Sequence, residues 1–169
     1  MLIEHILHRK GHEVETISAE APVADAVIKL SERNIGALVV TAATGVPVPA
    51  TEAASATSTD EAPGISGILS ERDIVRALAE SAPDTAATLR QPVSALMSTD
   101  LATCGPRATV DELMRLMTDR RIRHVPVLDN GRLAGIVSIG DVVKNRLDEL
   151  ELEAAVMRDA YLGAAAKFG

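Results

Sequence analysis

The sequence predicts an α/β fold (α+β in its internal order) in which one small β-α-β-β-α unit is used twice. Three observations lead there. The chain repeats itself, each copy carries a helix with one apolar face, and each copy then runs through two short apolar strands into a second helix. The repeat is plain in the residues. ETISAEAPVADAVIKLSERNIGALVV (15–40) lies over ATCGPRATVDELMRLMTDRRIRHVPV (102–127) at an offset of 87. Thr16 falls on Thr103, Val23 on Val110, Leu30 on Met117, Arg33 on Arg120 and Ile35 on Ile122. ISGILSERDIV (65–75) then lies over LAGIVSIGDVV (133–143) at an offset of 68, so that Gly67, Ser70 and Asp73 meet Gly135, Ser138 and Asp141. Solenoid repeats are shorter than these copies, which points to a duplicated small domain.

The elements follow in order. Thr16 and Thr103 open each copy in an extended piece. Val23, Ala26, Val27 and Leu30, and again Val110, Leu113, Met114 and Met117, have the i, i+3, i+4, i+7 spacing of a buried helical face. ALVV and GISGILS, then VPVL and LAGIVS, read as strand pairs, and Asp-Asn-Gly between the second pair is a hairpin signal. The second helix of each copy starts at its serine. Residues 1–10 predict a short amphipathic helix, and 141–160 a long charged one that runs past the domain body. The drop in offset gives copy one 19 extra residues within an Ala-, Thr-, Ser- and Pro-rich stretch at 41–64. Without periodicity it reads as a flexible hairpin-tip loop. The expected division is 1–80 for the first domain, 81–92 for a linker and 93–169 for the second domain with its long helix.

Composition removes several function classes. Only Tyr161 and Phe168 are aromatic, both at the tail, so base-stacking platforms are not expected. The net charge of −7 without a long Lys/Arg run argues against nucleic acid. Cys104 is the single cysteine, which excludes an internal disulfide and cysteine-rich metal motifs. No apolar run reaches a membrane span, and the first residues lack a signal-peptide pattern, so a cytoplasmic location is expected.

The residues that carry chemistry are SERD (70–73) and SIGD (138–141), each at a strand-to-helix turn. Free backbone N–H groups there attract phosphate, and the serine adds a donor. A carboxylate three residues on can accept hydrogen bonds from hydroxyl groups of a ligand. The same S-x-x-D is also a capping box, with the aspartate reaching back to the serine N–H. The two readings are compatible, because a carboxylate has two oxygens.

This order, with NIGALVV and GILSERDIVRAL in copy one and RIRHVPVLDNGRLAGIVSIGDVV in copy two, resembles a tandem pair of cystathionine-β-synthase (CBS) domains, the Bateman module. It is similar to the short bacterial proteins consisting of one such pair. The resemblance covers about 14–150. It implies a pseudo-twofold sandwich with two clefts and a homodimer. It also implies an adenosine ligand (AMP, ADP, ATP, NAD(H) or S-adenosylmethionine) that regulates an unknown partner. Neither a required cofactor nor a metal follows.

Carried over by position, one cleft holds Thr16, Ile35, Gly36, Ala37, Ser138 and Asp141. The other holds Thr103, Ile122, Arg123, His124, Ser70, Arg72 and Asp73. The second has the cationic candidates for phosphate, and the first has Gly36, Ala37 and Gly140 in their places. Competing readings stand beside this. The arginines could serve only surface carboxylates, and His124 could be a core histidine. His5, His8 and His12 share a spacing that suits a metal, but Gly11 interrupts it and a solvated helix is the expectation. Cys104 is expected to be an inert buried thiol. The resulting expectation is a non-catalytic regulatory module. No nucleophile, base and orienting group come together, and no G-x-G-x-x-G or P-loop occurs. The alternative is an interaction scaffold without ligand, working through dimerisation and the C-terminal helix. Apolar Ile74-Val75, Leu78, Val142-Val143 and Leu147 support a partner copy in either case.

Overall fold

The computed structural model describes residues 1–42 and 64–165. Residues 43–63 of the insert therefore lie outside the described residues, as does the reading of that stretch as a loop. Copy one is built from β1 (Thr16–Ser18), α2 (Val23–Arg33), β2 (Ala37–Thr41), β3 (Ile65–Ser70) and α3 (Glu71–Glu80), preceded by α1 (Ile3–Lys10). Copy two has α5 (Val110–Arg120), β4 (His124–Asp129), β5 (Arg132–Ser138) and α6 (Ile139–Ala165). Between the copies lie α4 (Thr85–Arg90) and a 3-10 turn at Val93–Ala95. The linker expected at 81–92 is thus partly helical, and it buries Thr88.

The duplication extends to backbone detail. β1 runs parallel to β2, with Ile17 opposite Val40, and Cys104 makes the same parallel bridge to Val127. Copy two keeps only that bridge where copy one has a strand. β2–β3 and β4–β5 are antiparallel, and both registers slip just after the same position, Val40 and Val127. α2 ends at Asn34 with φ 52 and α5 at Arg121 with φ 54. Asn tolerates this left-handed geometry. Arg does so at a cost of roughly 1–2 kcal/mol that packing must offset. Asn130 (φ 49) and Gly131 (φ 79) make the mirror-type turn expected of the Asp-Asn-Gly hairpin.

Two aliphatic cores result. Val23, Ala26, Leu30, Leu38, Val40, Leu69 and Ile74 form one; Val110, Leu113, Met117, Val125, Val127, Val137 and Val142 form the other. The helical spacing predicts Val27 and Met114 as core residues too, but both are exposed. They lie at the edge of their stripes. Val27 lines a surface groove with Leu78 and Val75.

The segment leading into each copy packs on the other copy. Ile3, Ile6 and Leu7 join the core of copy two, while Val93, Leu96 and Met97 join that of copy one. The backbone bonds match pair by pair. Ile3 N–H donates to Ala108 O (2.9 Å) as Val93 N–H does to Ala21 O (2.8 Å). Val110 N–H donates to Met1 O (3.1 Å) as Val23 N–H does to Gln91 O (2.9 Å). Leu7 abuts Gly135 as Met97 abuts Gly67. This is a further repeat, at an offset of 90. Relative to the division at 1–80 and 93–169, each lead-in changes sides, because its apolar residues complete the neighbouring core.

Candidate functional site

A cleft of about 530 Å³ opens between the copies. Copy one supplies Gly36, Ile68, Ser70, Arg72, Asp73 and Arg76; copy two supplies Arg120, Arg121, Ile122, Arg123, His124 and Pro126. Ser98, Asp100, Leu101 and Ala102 from the connecting segment close it. Six of the seven residues assigned by position to the second cleft are therefore together. The seventh, Thr103, is half-buried beside it, and its neighbour Ala102 takes the lining place.

The helix start of α3 supplies the polar floor. Ser70 N–H and Oγ donate to Asp73 Oδ2 at 3.0 and 2.6 Å, and Asp73 N–H donates to Ser70 Oγ at 3.4 Å. The capping box is real, and it occupies one carboxylate oxygen. Asp73 Oδ1 accepts from Arg76 at 3.2 Å. The same box forms in copy two, where Ser138 N–H and Oγ each donate to Asp141 Oδ2 at 2.7 Å.

Five arginines, Arg72, Arg76, Arg120, Arg121 and Arg123, line this cleft beside two aspartates, Asp73 and Asp100. Arg76 pairs with Asp73 and Arg120 with Asp100, both at 3.2 Å. Among the described residues, Arg72, Arg121 and Arg123 form no salt bridge. Positive charge is thus in excess, and guanidinium forks suit phosphate oxygens. Arg76 and Asp100 were not singled out from sequence. Arg76 lies one turn after Arg72, on the same helical side, and that spacing was the available signal.

His124 occupies the junction. Its Cε1 lies 2.9 Å from where a Cβ on Gly36 would stand, so only glycine leaves room for the imidazole. Burial, with the charges of Arg123 and Lys10, holds its pKa below the ordinary 6.5, against the opposing pull of Glu71 and Asp141. This favours the neutral imidazole, which carries one N–H donor.

The residues assigned to the other cleft are arranged differently. Ala37 is paired with Ser70 in the β2–β3 ladder, and Ile35 packs against the copy-one core. Gly36 lines the cleft described above, and with Ile35 it also lines the groove between α2 and α3. The Thr16 carbonyl accepts from Lys29 at 2.8 Å. Thr16, Ala37, Ser138 and Asp141 line neither cavity. Asp141 is instead engaged by Lys10. Burial works to raise its pKa, but hydrogen bonds from Lys10 and Ser138 outweigh this and hold it below the ordinary 3.8.

The remaining sequence candidates have structural roles. Burial pushes the Cys104 thiol up to about 11, so it is protonated at neutral pH. His8 Nδ1 lies 2.8 Å from Glu4 O and His12 Nδ1 3.0 Å from Ala134 O, with the helix ended at Gly11 (φ 97). Among the described residues no group of three or more His, Cys, Asp or Glu is placed to hold a metal. No described helix is long and apolar enough to cross a membrane.

Comparisons with known proteins agree with this architecture. A CBS domain model matches residues 93–148. The CBS domain-containing protein CBSX3, mitochondrial, of Arabidopsis thaliana is 35% identical, over 94% of this chain and 73% of its own length. The crystal structure of the CBS-domain containing protein ATU1752 from Agrobacterium tumefaciens is 41% identical, with a TM-score of 0.71, over 86% of this chain and 99% of that one. The CBS domain pair of protein MJ0100, solved in complex with 5′-methylthioadenosine and S-adenosyl-L-methionine, shares the fold at 21% identity and a TM-score of 0.67, over 88% of this chain and 98% of that one. With two copies of the unit, their shared backbone detail and these relatives, the chain belongs to the CBS domain family.

Proposed function

We propose that this chain is a non-catalytic regulatory module that binds a phosphorylated adenosine ligand in the cleft between its copies. One observation carries the reading: five arginines and only two aspartates line a cleft floored by the Ser70 N-cap. A helix start and an excess of guanidinium select a phosphate-bearing ligand, ATP or NAD(H) ahead of AMP. The adenosine half is chosen by analogy with the ligands of the MJ0100 pair. Aliphatic Ile68, Ile122 and Pro126 give the base an apolar wall. Arg123 and Arg72 would hold phosphate, with Ser70 as a further donor. Asp73 would need to release Arg76 to take the ribose. The other cleft, with Asp141 neutralised by Lys10, is the weaker site. In this reading the module is a cytoplasmic homodimer of CBS pairs acting as an energy or redox sensor on a protein target.

A thermal-shift panel of AMP, ADP, ATP, NAD⁺, NADH and S-adenosylmethionine tests this on the full chain. A ligand at about 100 times its dissociation constant adds roughly 2.7 kcal/mol, several degrees of melting temperature. The Arg123→Ala and Asp73→Asn variants should each weaken that shift. Unchanged affinity in Arg123→Ala for every phosphorylated ligand would overturn the phosphate assignment. No shift with any ligand, on folded and nucleotide-free protein, would favour the ligand-free scaffold.

A further inference from the structure

We infer that the projecting half of α6 is one strand of a parallel two-stranded coiled coil, whose other strand is α6 of a second copy of this chain. This goes beyond the expected homodimer by assigning the surface, the direction and the register. It sets copy two of one chain beside copy two of the other.

α6 has 27 residues, which is about 40 Å of helix. Only its beginning is anchored, through buried Val142 and Asn145. Every side chain from Glu151 to Arg158 is exposed. Helices in water draw most of their stability from packing an apolar face, so this length of helix calls for a partner. The apolar residues say which kind. Val143, Leu147, Leu150, Ala154 and Met157 follow one another at intervals of 4, 3, 4 and 3, and the sequence continues the interval to Tyr161. Val143, Leu147, Leu150 and Met157 are 51%, 54%, 46% and 71% exposed. This is the a/d seam of a heptad pattern, with Leu147 and Ala154 at a, and Val143, Leu150 and Met157 at d.

The flanking charges choose the partner. Arg146 and Glu153 hold the g positions; Glu151 and Arg158 hold the e positions. In a parallel pair each g residue faces the e residue five positions later in the other strand. Arg146 then faces Glu151, and Glu153 faces Arg158, so every charged pair is attractive. A slip of one heptad sets Arg146 of one strand against Arg158 of the other, and at the same time Glu153 of the second against Glu151 of the first. The sequence is therefore complementary to itself in one register. Arg146 now pairs with Glu149 of its own helix at 2.9 Å, an exposed contact of small value that can exchange. Leu152 and Val156 lie off this seam and stay outside the pair.

Sedimentation equilibrium and cysteine cross-linking on the full chain test this. Glu151→Arg should weaken dimerisation by roughly tenfold, and the double variant Arg146→Glu with Glu151→Arg should restore it. In a Cys104→Ala background, Leu150→Cys and Met157→Cys should each cross-link to itself under mild oxidation, whereas Leu152→Cys should not. An antiparallel pair brings a residue close to its own copy only near the crossing point. Cross-linking at just one of the two seam positions, or at neither, would overturn the proposal. So would a dimer whose affinity ignores Glu151→Arg.

Discussion

Lys10 Nζ donates to Asp141 Oδ2 at 2.6 Å and to Ile136 O at 3.2 Å. In the offset of 90 that relates the two lead-ins, the counterpart of Lys10 is Asp100. One repeated position thus carries opposite charges. Lys10 neutralises the aspartate of one S-x-x-D motif. Asp100 lies near the other and takes Arg120, leaving Asp73 to Arg76. The two halves share a backbone and differ in electrostatics.

Lys10→Met should return the Asp141 pKa toward its ordinary value and cost about 1 kcal/mol at pH 7, because a partly buried carboxylate loses its cation. The carboxyl is held low in the folded state, so its contribution is present above pH 3.8 and fades as pH falls through the folded value. Wild type and variant should therefore converge in acid. Carboxyl NMR titration with urea unfolding at two pH values measures both effects. An unmoved Asp141 pKa would show that Lys10 does not set it.

The glycines in the two lead-in contacts should not be equivalent. A Cβ on Gly135 would meet Leu7 Cδ2 at 2.6 Å, the end of a side chain that can turn aside. A Cβ on Gly67 would meet Met97 Sδ at 2.7 Å and also the backbone oxygen of Ser98 at 2.9 Å, which cannot. Gly67→Ala should cost about 1–3 kcal/mol and Gly135→Ala less, as denaturant midpoints would reveal.

His124 predicts an acid-side loss of stability. Burial first, then Arg123 and Lys10, hold its folded pKa below 6.5. As pH drops through 6.5 the unfolded chain takes up a proton that the folded imidazole resists, so stability falls until the folded value is passed. His124→Gln should flatten the unfolding free energy across that window. A slope identical to wild type would locate the effect elsewhere.

Cys104 should be slow toward thiol reagents at neutral pH, since its thiol titrates at about 11 and its backbone is held by the bridge to Val127. Cys104→Ser should leave ligand affinity unchanged. Rapid labelling of native protein, measured against a denatured control, would contradict this.

Much of this was legible from residue types alone. Apolar spacing marked both first helices, Ser70 and Ser138 marked the starts of the second, and the Asp-Asn-Gly turn appeared as written. The resemblance to CBS pairs, carried over by position, also put Ser70, Arg72, Asp73, Ile122, Arg123 and His124 in one cleft. The lead-in exchange escaped, since its similarity rests on three apolar pairs, Ile3/Val93, Ile6/Leu96 and Leu7/Met97, without a motif. Asp141 on Lys10 escaped for the same reason: nothing local in SIGD points to residue 10. Val27 and Met114 fit the apolar spacing and are exposed, because periodicity marks a stripe without fixing its width.

The exchange of lead-ins also bears on how the molecule comes into being. The first ten residues are synthesised long before α5 and β4, the surfaces on which Ile3 and Leu7 are buried. They must wait, unprotected, until the chain has grown past them. The core of copy one likewise stays open until Val93 emerges. Neither core is complete without the lead-in that precedes the other copy. A chain severed between the copies would yield fragments, each missing the arm that seals it and each lending an arm to the other.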